Sequence, residues 1–128
     1  MKKVLLILVI VMAVSICSYG QELRPVKGLN RLWGFVDETG KMVIPCQFDA
    51  AREFSEGLSV VRVDNLYGYI NKSGKEVIPC IYDEAENFIR GLARVKRQKT
   101  EGYIDITGTF YKGNREKAEK QAQANKGM

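Results

Sequence analysis

Histidine is absent from the 128-residue chain. That absence excludes Ser-His and Cys-His nucleophilic catalysis and every histidine-containing zinc site. Cysteine is scarce: Cys17, Cys46 and Cys80 are the three residues of this type. Only two of them lie beyond residue 20, too few for an all-cysteine zinc site, and no CxxC redox motif is present. A glycine-rich phosphate loop is also missing, although the chain holds twelve glycines. The longest apolar run, Val4 to Ile16, has 13 residues and is broken only by Ser15. It falls short of the roughly 20 residues a membrane-spanning helix needs.

A large charge of one sign is lacking as well. The formal charge is +5, but Lys2, Lys3 and the net +2 of the last sixteen residues lie outside the repetitive part. About +1 remains on residues 21–112, so charge gives no reason to expect nucleic acid as a partner.

What is present begins with an export signal. Lys2-Lys3 forms a positive start, Val4 to Ile16 an apolar core, and Ser18-Tyr19-Gly20 places small residues where a signal peptidase cleaves, before Gln21. Residues 1–20 therefore read as a leader, and the mature chain as extracytoplasmic, periplasmic or secreted. The alternative is a lipoprotein at Cys17, membrane-bound through its lipid, but the bulky Ile16 is unsuited to that processing site.

The mature chain repeats with a period of 34 residues. Trp33-Gly34-Phe35-Val36-Asp37 aligns with Tyr67-Gly68-Tyr69-Ile70-Asn71, and Val43-Ile44-Pro45-Cys46 with Val77-Ile78-Pro79-Cys80. Phe48-Asp49 aligns with Tyr82-Asp83, Phe54 with Phe88, and Gly57-Leu58 with Gly91-Leu92. A third copy starts at Glu101-Gly102-Tyr103-Ile104-Asp105, keeps Gly108 and then degrades. The glycines, the prolines and the β-branched and aromatic runs oppose a helical repeat. Asp37, Asn71 and Asp105 each open a turn that a glycine closes, which is hairpin chemistry. The expected unit is a three-stranded antiparallel meander, then a single helical turn over Asp49–Phe54 and Asp83–Phe88 with the aspartate as cap. A weak edge strand is expected near Leu23–Lys27.

These residues resemble the WG repeat, also called the KWG repeat, of bacterial proteins. Its marks are an aromatic-Gly pair, a Gly turn, a Val-Ile-Pro strand, a Tyr/Phe-Asp and a Phe-x-x-Gly-Leu. The resemblance covers residues 24–112, with repeats at about 24–57, 58–91 and a partial 92–112. It departs where Glu101 stands for the aromatic. The resemblance implies binding or assembly and supplies no catalytic residues. The fold class is then all-β, tandem repeats in an open solenoid-like or partial-propeller array over residues 21–112. The tail, residues 113–128, has no large apolar face and is expected as a frayed helix or disordered.

Four kinds of site remain to be weighed. Trp33 and Tyr67, with Phe35, Tyr69 and Tyr103, form either a core ladder or an exposed strip that stacks on sugars or peptide. Arg90, Arg94, Lys96, Arg97 and Lys99 form either a solvated strand edge or a patch for an anionic glycan or headgroup. Asp37, Asp49, Asp83 and Asp105 have structural roles that leave little for a glycosidase pair or for calcium. Cys46 and Cys80 occupy one copied position. They can form a disulfide if repeats meet strand to strand at about 4.8 Å, but not if sheets stack at about 10 Å. Free thiols are the expectation.

The function expected is a non-enzymatic binding or assembly module without cofactor, whose partner is a protein or an envelope glycan. The alternative is a glycan-directed accessory protein or enzyme using the aromatic strip and a carboxylate pair. Two full repeats build a small core, so a disulfide, a partner or a homo-oligomer is expected to add stability.

Overall fold

The computed structural model describes residues 22–127. The leader, its cleavage before Gln21 and the alternative at Cys17 lie outside the described residues. Within them the chain forms three antiparallel sheets. The N-terminal sheet holds β1 (Arg24–Lys27), β2 (Trp33–Val36) and β3 (Met42–Phe48). The middle sheet holds β4 (Ala50–Ala51), β5 (Leu58–Val63), β6 (Leu66–Asn71) and β7 (Glu76–Tyr82). The C-terminal sheet holds β8 (Glu84–Ala85), β9 (Leu92–Arg97), β10 (Thr100–Asp105) and β11 (Phe110–Lys112). Helix α1 (Arg115–Lys126) follows.

The turns are made by the residues expected to make them. Asn71 Oδ1 accepts from the backbone N–H groups of Ser73 (3.1 Å) and Lys75 (3.0 Å), and from the Ser73 hydroxyl. Asp37 does the same for Thr39 and Lys41, and Asp105 for Thr107 and Thr109. Gly40, Gly74 and Gly108 close these turns at φ +86°, a conformation that disfavours any side chain.

The link between sheets is not a helical turn. Asp49–Phe54 and Asp83–Phe88 run extended, and β4 and β8 pair with β5 and β9. The N–H groups of Asp49 and Arg52 donate to Arg62 and Val60 carbonyls, so the sheet takes donors that a helix would have left to its cap. Asp49 and Asp83 instead accept from the backbone of Asp64 and Gln98, bracing the next hairpin. The Phe-x-x-Gly-Leu segment is a two-residue turn bridged Ser55 to Leu58, with φ +53° at Glu56 and +82° at Gly57. Ile89–Leu92 repeats it with Arg90 and Gly91. Positive φ at both central residues matches the right-handed twist of the strands they join.

The Val-Ile-Pro-Cys segments are bulges on edge strands. Tyr67 pairs with Tyr82 and Tyr69 with Ile78, so Pro79, Cys80 and Ile81 face Gly68 alone. A Cβ on Gly68 would sit 2.6 Å from the Ile78 carbonyl oxygen and 2.7 Å from the Cys80 nitrogen. Gly34 stands in the same relation to Ile44 and Cys46, at 2.5 and 2.8 Å. The aromatic-Gly pair thus exists because only glycine lets the bulged strand pass, and the proline-bearing bulge guards the edge against further pairing.

Cys46 and Cys80 are free thiols, and no disulfide joins them among the described residues. They lie on β3 and β7, the bulged edge strands of two different sheets. Burial, with help from Glu76, pushes the Cys80 thiol up to about 11. Reductant is therefore expected to leave the melting temperature of the mature protein unchanged. Cys80 should react slowly with a thiol reagent at neutral pH. A melt that drops on reduction would contradict both.

The middle sheet buries both faces. Val61 and Ile70 join Phe35, Ile44 and Phe48 of the N-terminal sheet in one core. Their neighbours Val60 and Tyr69 join Ala93, Val95 and Ile104 of the C-terminal sheet in another. The step between units is regular. Phe35 meets Phe54, and Tyr69 meets Phe88, edge to face at 4.9 Å in both cases. Gly74 approaches Ile44, and Gly108 approaches Ile78. Each ring pair adds about 0.5–1.5 kcal/mol beyond its buried area. Ser59, the buried polar residue, donates its hydroxyl to the Arg52 carbonyl at 2.7 Å.

The tail is a 12-residue helix rather than a disordered segment. Asn114 caps it through the Lys117 N–H, and Arg115–Glu119 and Glu116–Lys120 pairs brace its surface. Ala118 is fully buried, and with Ala122 it packs on Leu92, Tyr103 and Tyr111. No large apolar residue was needed on α1, because the sheet supplies the large side chains and alanine lets the helix approach.

Candidate functional site

The residues that suggested a ligand strip are distributed through the stack. Phe35 and Tyr69 are completely buried, so neither can stack on a ligand, which corrects that reading for both. The Tyr69 hydroxyl donates to the Glu86 carbonyl at 2.7 Å, and burial raises its pKa far above the usual phenol value. Trp33 and Tyr67 are half-buried against the two cores. Tyr103 lies under α1, with the Arg115 guanidinium 5.8 Å from its ring centre. The five rings divide among three cores, Trp33 with Phe35 in the first, Tyr67 with Tyr69 in the second and Tyr103 in the third.

The basic cluster is also divided. Arg94 contacts Glu86 (3.1 Å), Glu101 (3.3 Å) and Glu84 (3.9 Å), and these carboxylates raise its pKa further. Lys96 is paired in register with both Glu84 and Glu101. Arg97 ends β9 and Lys99 lies in the β9–β10 turn, while Arg90 sits beyond the opposite end of β9. No continuous cationic patch results, because acidic residues on β8 and β10 alternate with the basic ones on β9.

Three concave regions of the described residues bear on the candidate sites. A groove of about 630 Å³ runs between α1 and the C-terminal sheet, lined by Arg90, Leu92, Asp105, Ile106, Tyr111 and Ala122 together with residues near the end of α1. A cleft of about 390 Å³ between the first two units is rimmed by Glu22, Asp37, Glu38, Glu53 and Glu56. A third, of about 440 Å³, brings Tyr67 beside Asp83, Glu84, Glu86, Arg52 and Arg94. The described residues gather no group of three or more His, Cys, Asp or Glu side chains that could hold a metal ion.

Within the first groove the Tyr111 hydroxyl donates to Asp105 Oδ2 at 2.8 Å and accepts from Asn125 at 3.2 Å. Burial pushes the Asp105 carboxyl up, but bonds from Thr107, Tyr111 and the Thr107 and Thr109 N–H groups outweigh it and leave the carboxyl below its usual range. The same bond, then burial, raises Tyr111. Near neutrality the pair stays carboxylate and phenol and has no proton to exchange. Its folded pKa being lowered, Asp105 stabilises the fold above the unfolded value of about 3.8 and loses that contribution as pH falls through the folded value. Asp105→Asn is expected to flatten the acid side of a melting-temperature profile between about pH 5 and pH 2. An unchanged profile would contradict this.

The groove wall contributed by α1 is the part that motif reading overlooked. Its trace lies in the same offset: 34 residues after Phe88 comes Ala122, which packs beside Tyr103 where a further unit would place its ring. Helix α1 therefore stands in the position of a fourth sheet.

Comparison with curated proteins and with solved structures returned no match. The family described as WG containing repeat matches residues 33–67 and 67–99, more than half of the chain. Both matched segments carry the bulge glycine, the Asx turn and the two-residue linker turn described above. The chain belongs to the WG-containing repeat family.

Proposed function

We propose that the chain is an exported, non-enzymatic module that binds a partner, or assembles with one, in the cell envelope or outside the cell. The observation that supports this best is the engagement of its recurrent polar and aromatic residues. Asp37, Asn71 and Asp105 hold turns, Asp49 and Asp83 brace hairpins, and Phe35 and Tyr69 fill cores. What the stack offers outward is shape and charge. The leader-like N-terminus supports export. Affinity capture from an envelope fraction by the mature protein tests the reading. Specific enrichment of one envelope component supports it, and recovery equal to a blank matrix counts against it.

A second reading rests on the cleft where half-buried Tyr67 adjoins Asp83, Glu84 and Glu86, an aromatic platform beside carboxylates. It is the glycan-directed alternative. Saturable sugar binding lost in Tyr67→Ala would favour it, and turnover lost in Glu84→Gln would make it an enzyme.

A further inference from the structure

The linker turn of the last unit differs from its predecessor in one residue that changes the chemistry of the groove. In the middle unit the first turn residue is Glu56, and its carboxylate accepts the Gly91 N–H of the following unit at 2.8 Å. Its equivalent, 34 residues on, is Arg90. No further sheet follows, and Arg90 makes no ion pair or hydrogen bond through its side chain among the described residues. The acids around it are engaged. Asp105 accepts from Thr107, Thr109 and Tyr111, and Glu119 is held by Arg115 at 2.8 Å. Arg90 and Lys126 have no ion-pair partner among the described residues, and against the one unpaired carboxylate of Asp105 they leave the groove net positive over a lining that includes Leu92, Ile106 and Ala122. Ile106 keeps 56% of its surface exposed there, apolar area that none of the described residues covers.

We propose that this groove binds a small organic carboxylate with an apolar body. The Arg90 guanidinium presents a planar fork that matches a carboxylate, Lys126 adds a second positive charge, and Ile106 and Ala122 receive the apolar part. A volume of about 630 Å³ lies within the ordinary size of small-molecule sites. Occupancy would also tie α1 to the last sheet, since the groove has one wall from each. This deepens the proposed binding role and rests on it.

The test is a titration of the isotope-labelled mature protein with 4-phenylbutyrate, following the Ile106 and Ala122 methyl resonances. The uncharged 4-phenylbutyramide serves as the matched neutral probe. Saturable shifts at both methyls are expected with the acid, and binding weaker by roughly tenfold with the amide or in Arg90→Gln. Lys99→Gln, outside the groove, should bind like the unaltered chain. No saturable shift, or equal affinity for acid and amide, would overturn the proposal. If envelope capture persists in a protein that fails this titration, the groove is excluded and the broader binding role stands.

Discussion

Tyr69→Ala is expected to lower stability by about 3–5 kcal/mol, the range for truncating a fully buried aromatic. The ring is completely inaccessible between the middle and C-terminal sheets, meets Phe88 edge to face at 4.9 Å and tops a core shared by both sheets. Removing it leaves a cavity at that junction and an unpaired Glu86 carbonyl. Tyr69→Phe separates the two losses, since it keeps the ring and gives up only the hydroxyl bond, worth about 1 kcal/mol. Tyr67→Ala, two residues away and half-buried, should cost clearly less than Tyr69→Ala. Urea unfolding followed by circular dichroism measures all three. A Tyr69→Ala protein within about 1 kcal/mol of the unaltered chain would mean that the ring is not a core residue.

Gly68→Ala is expected to be comparably damaging for a different reason. Its new Cβ would meet backbone atoms of Ile78, Pro79 and Cys80 at 2.6–2.7 Å, and backbone in a bulge cannot turn aside as a side chain can. The bulge must open or the strands must part, at about 3 kcal/mol or more. Gly40→Ala provides the control: nothing lies within 4 Å of its added Cβ, but its φ of +86° remains unfavourable. Conformational strain alone should cost about 1–2 kcal/mol there. Equal effects at the two glycines would show that close strand approach is not the reason for the aromatic-Gly pair.

The parts of the fold that sequence pattern revealed are those determined locally. An Asx residue three positions before a glycine makes its turn with its own side chain, so Asp37, Asn71 and Asp105 were readable one turn at a time. The period showed that Cys46 and Cys80 are copies of one position. The linker was misread because its backbone partners, Val60 and Arg62, lie about ten residues further along the chain and outcompete a weak capping pattern. The ladder of aromatics was visible, but which rings face inward depends on which sheet lies across from each. The groove was hidden for a similar reason. Alanines on α1 carry no signal until the Leu92–Tyr103–Tyr111 surface is present to receive them. Arg90 looked like one member of a basic cluster. Its separation from Arg94 follows from strand geometry, and its lack of a partner among the described residues from α1 standing where a further sheet would.

All of this rests on three sheets stacked face to face, with α1 in the place of a fourth. Nuclear Overhauser contacts in the mature protein test that arrangement most directly. The structure predicts cross-peaks between the Phe35 and Phe54 rings, between the Tyr69 and Phe88 rings, and between the Ala118 methyl and Tyr111. A folded protein with well-dispersed resonances that lacks the two ring-to-ring contacts would contradict the stacked arrangement.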